Sequence, residues 1–283
     1  MNIHTAAARE YASRPADERY PSIDAMATAA LEDKNRSLER MYSLKDLQVK
    51  AETIGELANG EANRTLMLAS PKGAAKFTHW SFGQLCRSLG APASYLRSIP
   101  VELAADCLNY GLQQSPAGTD ANLLVRAPNG DPYPTLRACT TDTYGRVWDA
   151  PLYTGIRDQI LSRDSRWTTP PTWTGESAGA YRGDRDSFLI VVNGGSIVAD
   201  PSLTGRPLAG VAADMYRGIL VRNSEVGACA VQIEEILFRS ICGNHLIWGA
   251  VSSNSFRRRH VGQHAMRDTI REIGRLAWKL AQA

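Results

Sequence analysis

From Met266 to Leu280 the chain repeats with the period of an α-helix. Met266, Ile270, Ile273, Ala277 and Leu280 fall on one face, and Arg267, Arg271, Arg275 and Lys279 recur every fourth residue on another. A helix divided this way gains most of its stability by laying its apolar stripe on a larger apolar surface, so the rest of the chain has to build one. The material is there, since 43% of the 283 residues are hydrophobic and 22% are charged, a composition unlike that of a disordered chain. The length suits one or two domains. No run approaches the roughly 18 consecutive apolar residues of a membrane helix. The segment Met1 to Arg19 has no apolar centre of the secretory kind. The five cysteines (Cys86, Cys107, Cys139, Cys229, Cys242) are scattered and never spaced CxxC, which argues against a disulfide framework. No membrane contact and a cytoplasmic location are the expectations.

The same helix dominates the charge distribution. After Ser255 there are seven basic residues (Arg257, Arg258, Arg259, Arg267, Arg271, Arg275, Lys279) against two acidic ones (Asp268, Glu272), so the tail carries +5 in a chain whose net charge is +3. Only six of the 32 basic residues are lysine. Arginine's planar fork binds phosphate through two hydrogen bonds and stacks on bases, which fits contact with nucleic acid. A GC-rich genome would also favour arginine codons, but explains their concentration in the tail less well.

Residues 1–42 are polar and read as a leader or arm. Residues 43–118 read as a mainly helical subdomain. Ser43, Asp46, Leu44, Leu47, Ile54 and Leu57 suggest a helix ending near Gly60, and Thr65 to Ala69 a short strand. Further helices are predicted from Ser81, around Ser94 to Ser98, and from Pro100. Helix, glycine turn and helix outline a helix-turn-helix, yet only Arg87 and Arg97 stand where phosphate could be met, so a packed helical hairpin explains the pattern better. Residues 119–250 read as an α+β core. It starts with neighbouring strands at Leu123 to Ala127 and Thr135 to Thr141, and a helix capped by Asp149 and ending near Arg163 follows. Residues 164–187 read as a long surface loop, and Phe188 to Ala199 as a hairpin turning at Asn193-Gly194-Gly195. Later strands are predicted at Gly218 to Arg222, around Val231 and Ile233, and at Leu246 to Trp248. Residues 251–283 form the basic C-terminal segment with its amphipathic helix. The fold class is therefore α+β, with antiparallel hairpins and a mixed sheet under packed helices.

The run Val221-Arg222-Asn223-Ser224-Glu225-Val226-Gly227, with the later Leu237-Phe238-Arg239-Ser240-Ile241-Cys242-Gly243-Asn244, resembles the end of a phage- and plasmid-borne family, domain-of-unknown-function family 932. The family's hallmarks are an asparagine-serine-glutamate-valine-glycine run and a later cysteine-x-asparagine-glycine. Phe82 to Leu112 and Thr141-Asp142-Thr143-Tyr144 are also similar, so the resemblance covers roughly residues 80 to 250, with His245 standing where the family has glycine. It implies a mobile-element origin, a bacterial host cell, and work in DNA metabolism or in interference with host defence. It brings no catalytic residues.

No phosphate-binding GxxxxGK[ST] or GxGxxG loop, GxSxG elbow or HExxH is present, which disfavours nucleotide hydrolysis, dinucleotide chemistry and the familiar hydrolases. Asp184, Asp186, Asp200, Glu234 and Glu235 could converge on magnesium, though solvated charges explain them better. Cys242, His245, His260 and His264 have a spacing that roughly mimics a zinc site, but a single-cysteine set is atypical, and neither metal nor cofactor is expected. For nucleic acid there are two candidate surfaces. One is the tail, with Arg257, Arg258, Arg259, Arg267, Arg271, Arg275 and Lys279. The other is the loop, where Trp167 and Trp173 stand among Arg182 and Arg185 and could stack on the bases of a single strand. The loop's acids oppose that use, and its aromatics would equally well pin it to the core. The expected function is binding of DNA, single-stranded in one version, without catalysis, in recombination or replication and with self-association. A protein-interaction module that blocks a host defence complex is the alternative, and a metal-dependent enzyme on nucleic acid the third.

Overall fold

A computed structural model describes residues 15–56, 58–169, 179–199, 214–239, 247–248, 255–260 and 265–282. They fall into two compact units, Met1–Glu32 with Gly145–Ala283, and Asp33–Tyr144. These divisions differ from those expected at 42/43, 118/119 and 250/251. Strand pairing is the reason, because residues 37–42, expected in the polar leader, pair together with Ser43 one for one with residues 120–126.

The first long element is α1 (Ile23–Asn35), where Ser22 Oγ accepts a hydrogen bond from the Ala25 N–H at 3.1 Å. It buries Ile23, Met26, Ala27 and Ala30, an i, i+3, i+4, i+7 stripe built half of alanine and therefore faint in the sequence. In the unit 33–144, β1 (Ser37–Ser43), β2 (Gln48–Glu56), β3 (Ala62–Ser70), β4 (Gly73–Phe77), β5 (Asp120–Arg126) and β6 (Thr135–Thr141) make one sheet in the order β1-β5-β6-β4-β3-β2. Only β4 and β6 run parallel, so the sheet is mixed. Between β4 and β5 come α2 (His79–Ser88), α3 (Ala93–Leu96) and α4 (Val101–Gln114), which pack Phe82, Leu85, Leu108 and Leu112 onto Val49, Leu68, Leu123 and Leu136 of the sheet.

Two expectations give way in this unit, and the preference for a packed helical hairpin is kept. The stretch expected as a helix from Ser43 is a short turn and then β2, because Val49 is buried against the helices and Asn109 of α4 clamps its backbone, accepting from the Val49 N–H at 2.7 Å and donating to its carbonyl at 2.9 Å. The cap of α2 is Thr78, reciprocally bonded with Ser81, rather than Ser81 itself. The helix-turn-helix outline is a packed hairpin. Its middle helix α3 has four residues, and Arg97 lies over the Phe82 ring at 4.8 Å while donating to the His79 carbonyl.

In the other unit, α5 (Asp149–Ile156) runs into a π turn (Arg157–Leu161) closed by Ser162 N–H to the Arg157 carbonyl at 2.9 Å. Seven strands follow: β7 (Trp167–Thr168), β8 (Ala180–Arg182), β9 (Ser187–Ala199), β10 (Asp214–Asn223), β11 (Val231–Arg239), β12 (Ile247–Trp248) and β13 (Ser255–Arg258). They form an antiparallel sheet, β12-β11-β10-β9-β7, with β13 also on β11 and β8 also on β9. Alternate residues divide its faces. Leu189, Val191, Ile219, Val221, Val231 and Ile233 meet α1, α5 and α6 (Ala265–Gln282) in the main core, while Phe188, Ile190, Leu220 and Ile236 join a second cluster.

The expected hairpin at Asn193-Gly194-Gly195 is instead one continuous strand. Val192 pairs with Gly218 and Ile197 with Tyr216, so the glycines are taken up in an irregularity of β9, with Gly194 N–H donating to the Arg166 carbonyl at 2.8 Å. Part of the long loop expected over 164–187 is likewise strand, at β7 and β8. The α+β class holds, with two sheets and six α-helices among the described residues. No helix among them is long and apolar enough to cross a membrane.

Candidate nucleic-acid interface

The helix α6 lies on the sheet as its period predicts. Ile273, Leu276 and Ala277 are buried, and half-buried Ile270 packs so closely on α5 that a Cβ at Gly155 would stand 3.0 Å from Ile270 Cδ1. Arg267, Arg271, Arg275 and Lys279 are exposed, the Arg271 side chain by 83%. Just before the helix, β13 alternates. Phe256 packs against the core, Arg258 turns to Asp268 of α6 at 2.6 Å, and Arg257 and Arg259 are exposed. The tail's two acids are both engaged by its own arginines, Asp268 by Arg258 and Glu272 by Arg275 at 2.5 Å, which lowers the Glu272 pKa. Arg257, Arg259, Arg267, Arg271 and Lys279 are exposed, with Arg271 also 3.9 Å from Asp268 Oδ1. All seven tail cations thus lie on α6 or in the few residues just before it.

The loop candidates come out differently. Trp167 is 4% exposed and packed in the main core beside Ile160, so the expected stacking on bases gives way to anchoring. Arg182, 5% exposed, is also corrected, because its guanidinium is held 3.1 Å from Asp149 Oδ2 and 3.4 Å from Glu225 Oε2 and offers nothing to a phosphate. Arg185 is exposed and lies 3.5 Å from Asp186 Oδ2. Trp173 lies outside the described residues, as do Cys242, His245 and His264 of the zinc-like spacing and Asp200 of the acidic group. His260 is buried, with Nδ1 accepting from the Val147 N–H at 3.4 Å. Among the described residues no group of three or more His, Cys, Asp or Glu could hold a metal ion.

What the sequence reading missed is the role of the Asn223-Ser224-Glu225 run. It ends β10 beneath the start of α5 and satisfies that helix end. Glu225 Oε1 accepts the Asp149 N–H at 2.9 Å, putting an anion at the positive pole of α5. Asn223 donates to the Val147 carbonyl at 2.9 Å and to Asp149 Oδ1 at 2.7 Å, where Ser187 Oγ also donates at 2.8 Å. Ser224 Oγ donates to the Arg185 carbonyl at 2.6 Å and accepts from the Ala228 N–H. Arg222 pairs with Asp186 at 2.8 Å, and Arg146 donates to the Glu225 carbonyl. Burial, and then Glu225 alongside, push the Asp149 carboxyl up to about 6 against the pull of Arg182. Asp149, Arg182, Asp186, Ser187, Asn223 and Glu225 are all at most 5% exposed, so the network is a buried clamp between sheet and helix. The signal that could have found it is the polar run Arg222-Asn223-Ser224-Glu225 directly after the apolar Ile219-Leu220-Val221 and before Val226, whose charges need partners if the segment is buried.

Residues 168–282 match the family model of a domain of unknown function (DUF932). This supports the resemblance read from the Asn223–Gly227 run. The match begins and ends later than the roughly 80–250 that the resemblance covers, leaving Phe82 to Leu112 and Thr141 to Tyr144 outside it and taking in α6. Neither the curated proteins nor the solved structures offer a match to this chain.

Proposed function

We propose that the segment carrying the DUF932 match binds nucleic acid through the cationic face formed by α6 and β13. The observation that supports this reading is the division of α6. Its apolar side is consumed by the sheet, while Arg257, Arg259, Arg267, Arg271 and Lys279 stand outward, and the tail's acids are occupied by Arg258 and Arg275. Exposed arginines spread over a strand and several helical turns suit the repeating phosphates of a strand better than one compact anion. Origin in a mobile element, and work in recombination or replication, belong to the same proposal and rest on the family resemblance.

The test is a salt series on the full chain and on a variant with glutamine at Arg257, Arg259, Arg267, Arg271 and Lys279. Arg258 and Arg275 stay, since Arg258 ties β13 to Asp268 of α6 and Arg275 is paired with Glu272 within the helix. The parent should bind single strands with affinity falling steeply as salt rises, and the variant should have a log–log slope shallower by about 0.7 for each phosphate it no longer engages. Equal affinity and equal slope in a folded variant would overturn the proposal. An acidic protein surface as the partner, in a module that blocks a host complex, predicts that parent and variant alike ignore nucleic acid.

A further inference from the structure

We propose that the groove between the π turn after α5 and the helix α6 receives an unstacked base of a single-stranded nucleic acid, with Trp278 as its stacking face. The inference rests on the nucleic-acid reading of α6 and says how that surface would tell single strands from duplex. A cavity of about 320 Å3 opens here, lined by Gln159, Ile160, Arg163, Trp167, Gly274 and Trp278 among others, a size at the small end of ligand sites. Its base is rigid, because Ile160 and Trp167 are core residues.

Three observations point to a flat aromatic ligand beside a phosphate. Trp278 is 67% exposed on a helix whose apolar needs are met by Ile273, Leu276 and Ala277, so core packing does not account for it. Gly274 sits one turn earlier in the middle of α6, where glycine weakens a helix, and a Cβ built on it would meet no atom within 4 Å. No close approach or positive φ demands glycine there, and what its missing side chain leaves is open floor in the groove. Arg163 on the rim is exposed, and the one lining acid, Asp164, is held by Arg166 at 2.8 Å, which lowers the Asp164 pKa. Gln159 of the π turn and Arg163 just after it form the wall opposite α6. Lys279 is the next residue and Arg271 lies two turns earlier on the same helix, both exposed, so a strand lying along the cationic face can place a base on Trp278 and its phosphates beside these cations. A duplex, with its bases stacked inside, cannot use the groove.

The experiment measures binding of the full chain to oligothymidylate, oligouridylate and a mixed-sequence duplex. Variants are Trp278→Ala, Trp278→Phe and Gly274→Leu, each checked for unchanged circular dichroism and for a melting temperature no lower than the parent's. Trp278→Ala should weaken single-strand binding roughly tenfold or more and leave duplex binding and the salt slope unchanged. Trp278→Phe should keep most of the affinity, and Gly274→Leu should lose it by filling the groove. Equal loss with oligothymidylate and oligouridylate assigns the site to bases in general, and a loss confined to one assigns it to that strand type. If the parent binds nucleic acid and all three variants bind it equally well, this inference fails while the cationic-face reading stands. If the parent binds no nucleic acid, both are overturned.

Discussion

Asp149 and His260 are buried in the same unit and are driven in opposite directions. Burial and Glu225 raise the Asp149 carboxyl to about 6, whereas burial and the neighbouring Arg146 charge lower the His260 imidazole to about 4. Between about pH 4 and 6 the folded protein holds more protons at Asp149 than the unfolded chain does, so that residue's contribution falls as pH rises. At His260 it holds fewer, so stability rises with pH through the same window and on to about 6.5. Each shift of about two units corresponds to roughly 3 kcal/mol, and in the parent the two largely offset each other. Urea midpoints at pH 4.5 and 6.5 should therefore differ little for the parent, fall with pH in His260→Asn, and rise with pH in Asp149→Asn. Parallel slopes in all three proteins would show that neither group titrates as its surroundings require. Removing one member of the ionic clamp is harsher, since Glu225→Gln strips Arg182 of a buried partner at a cost on the order of 3–5 kcal/mol, visible as a lower melting temperature at neutral pH.

The glycines of the elements separate packing from conformation. At Gly218, where β10 shifts register, a Cβ would stand 2.6 Å from the Val191 carbonyl oxygen, a backbone atom that cannot yield without breaking the strand pair. At Gly274 there is open space. Gly218→Ala should thus destabilise by on the order of 1–3 kcal/mol, and Gly274→Ala should stabilise by up to about 1 kcal/mol, both read from thermal melts. Elements whose signal is local were legible in the sequence: α2, α4 and β5 with β6, and above all α6, whose buried and exposed faces match its period. Elements decided by distant partners were not. Residues 48–56 carry apolar spacing that suits a helix, and Asn109 together with β3 makes them a strand. Asn193-Gly194-Gly195 has the chemistry of a tight turn, and two neighbouring strands keep it extended. The candidate site divided along the same line. Cations on a helix face could be placed from spacing alone, while Trp167 and Arg182 had the right chemistry but their burial depended on β9 and Asp149. Trp278, an aromatic outside the apolar stripe, was a readable signal that the period count passed over.

At the scale of the whole molecule, each unit has its own core, and only one is continuous in sequence. The unit Asp33–Tyr144 keeps its sheet, its three helices and the Asp33 pairs with Arg36 and Arg126, so that stretch should fold by itself with one cooperative thermal transition. The other unit is assembled from two distant pieces. Ile23, Met26, Ala27 and Ala30 of α1 belong to its core, together with Leu189, Ile219 and Ile273 from the far end of the chain. Burying the isoleucine and methionine alone is worth about 1.5–3 kcal/mol each, a large part of the roughly 5–15 kcal/mol that holds a domain. A fragment of residues 145–283 should therefore melt without a sharp transition, or well below the parent. Adding a peptide of residues 15–35 in trans should restore cooperativity in a concentration-dependent way, because the ends of the unit are then joined only by the contacts of α1. If residues 145–283 alone melt as sharply and as high as the intact chain, α1 is an ornament on that core and the two-piece assembly is wrong.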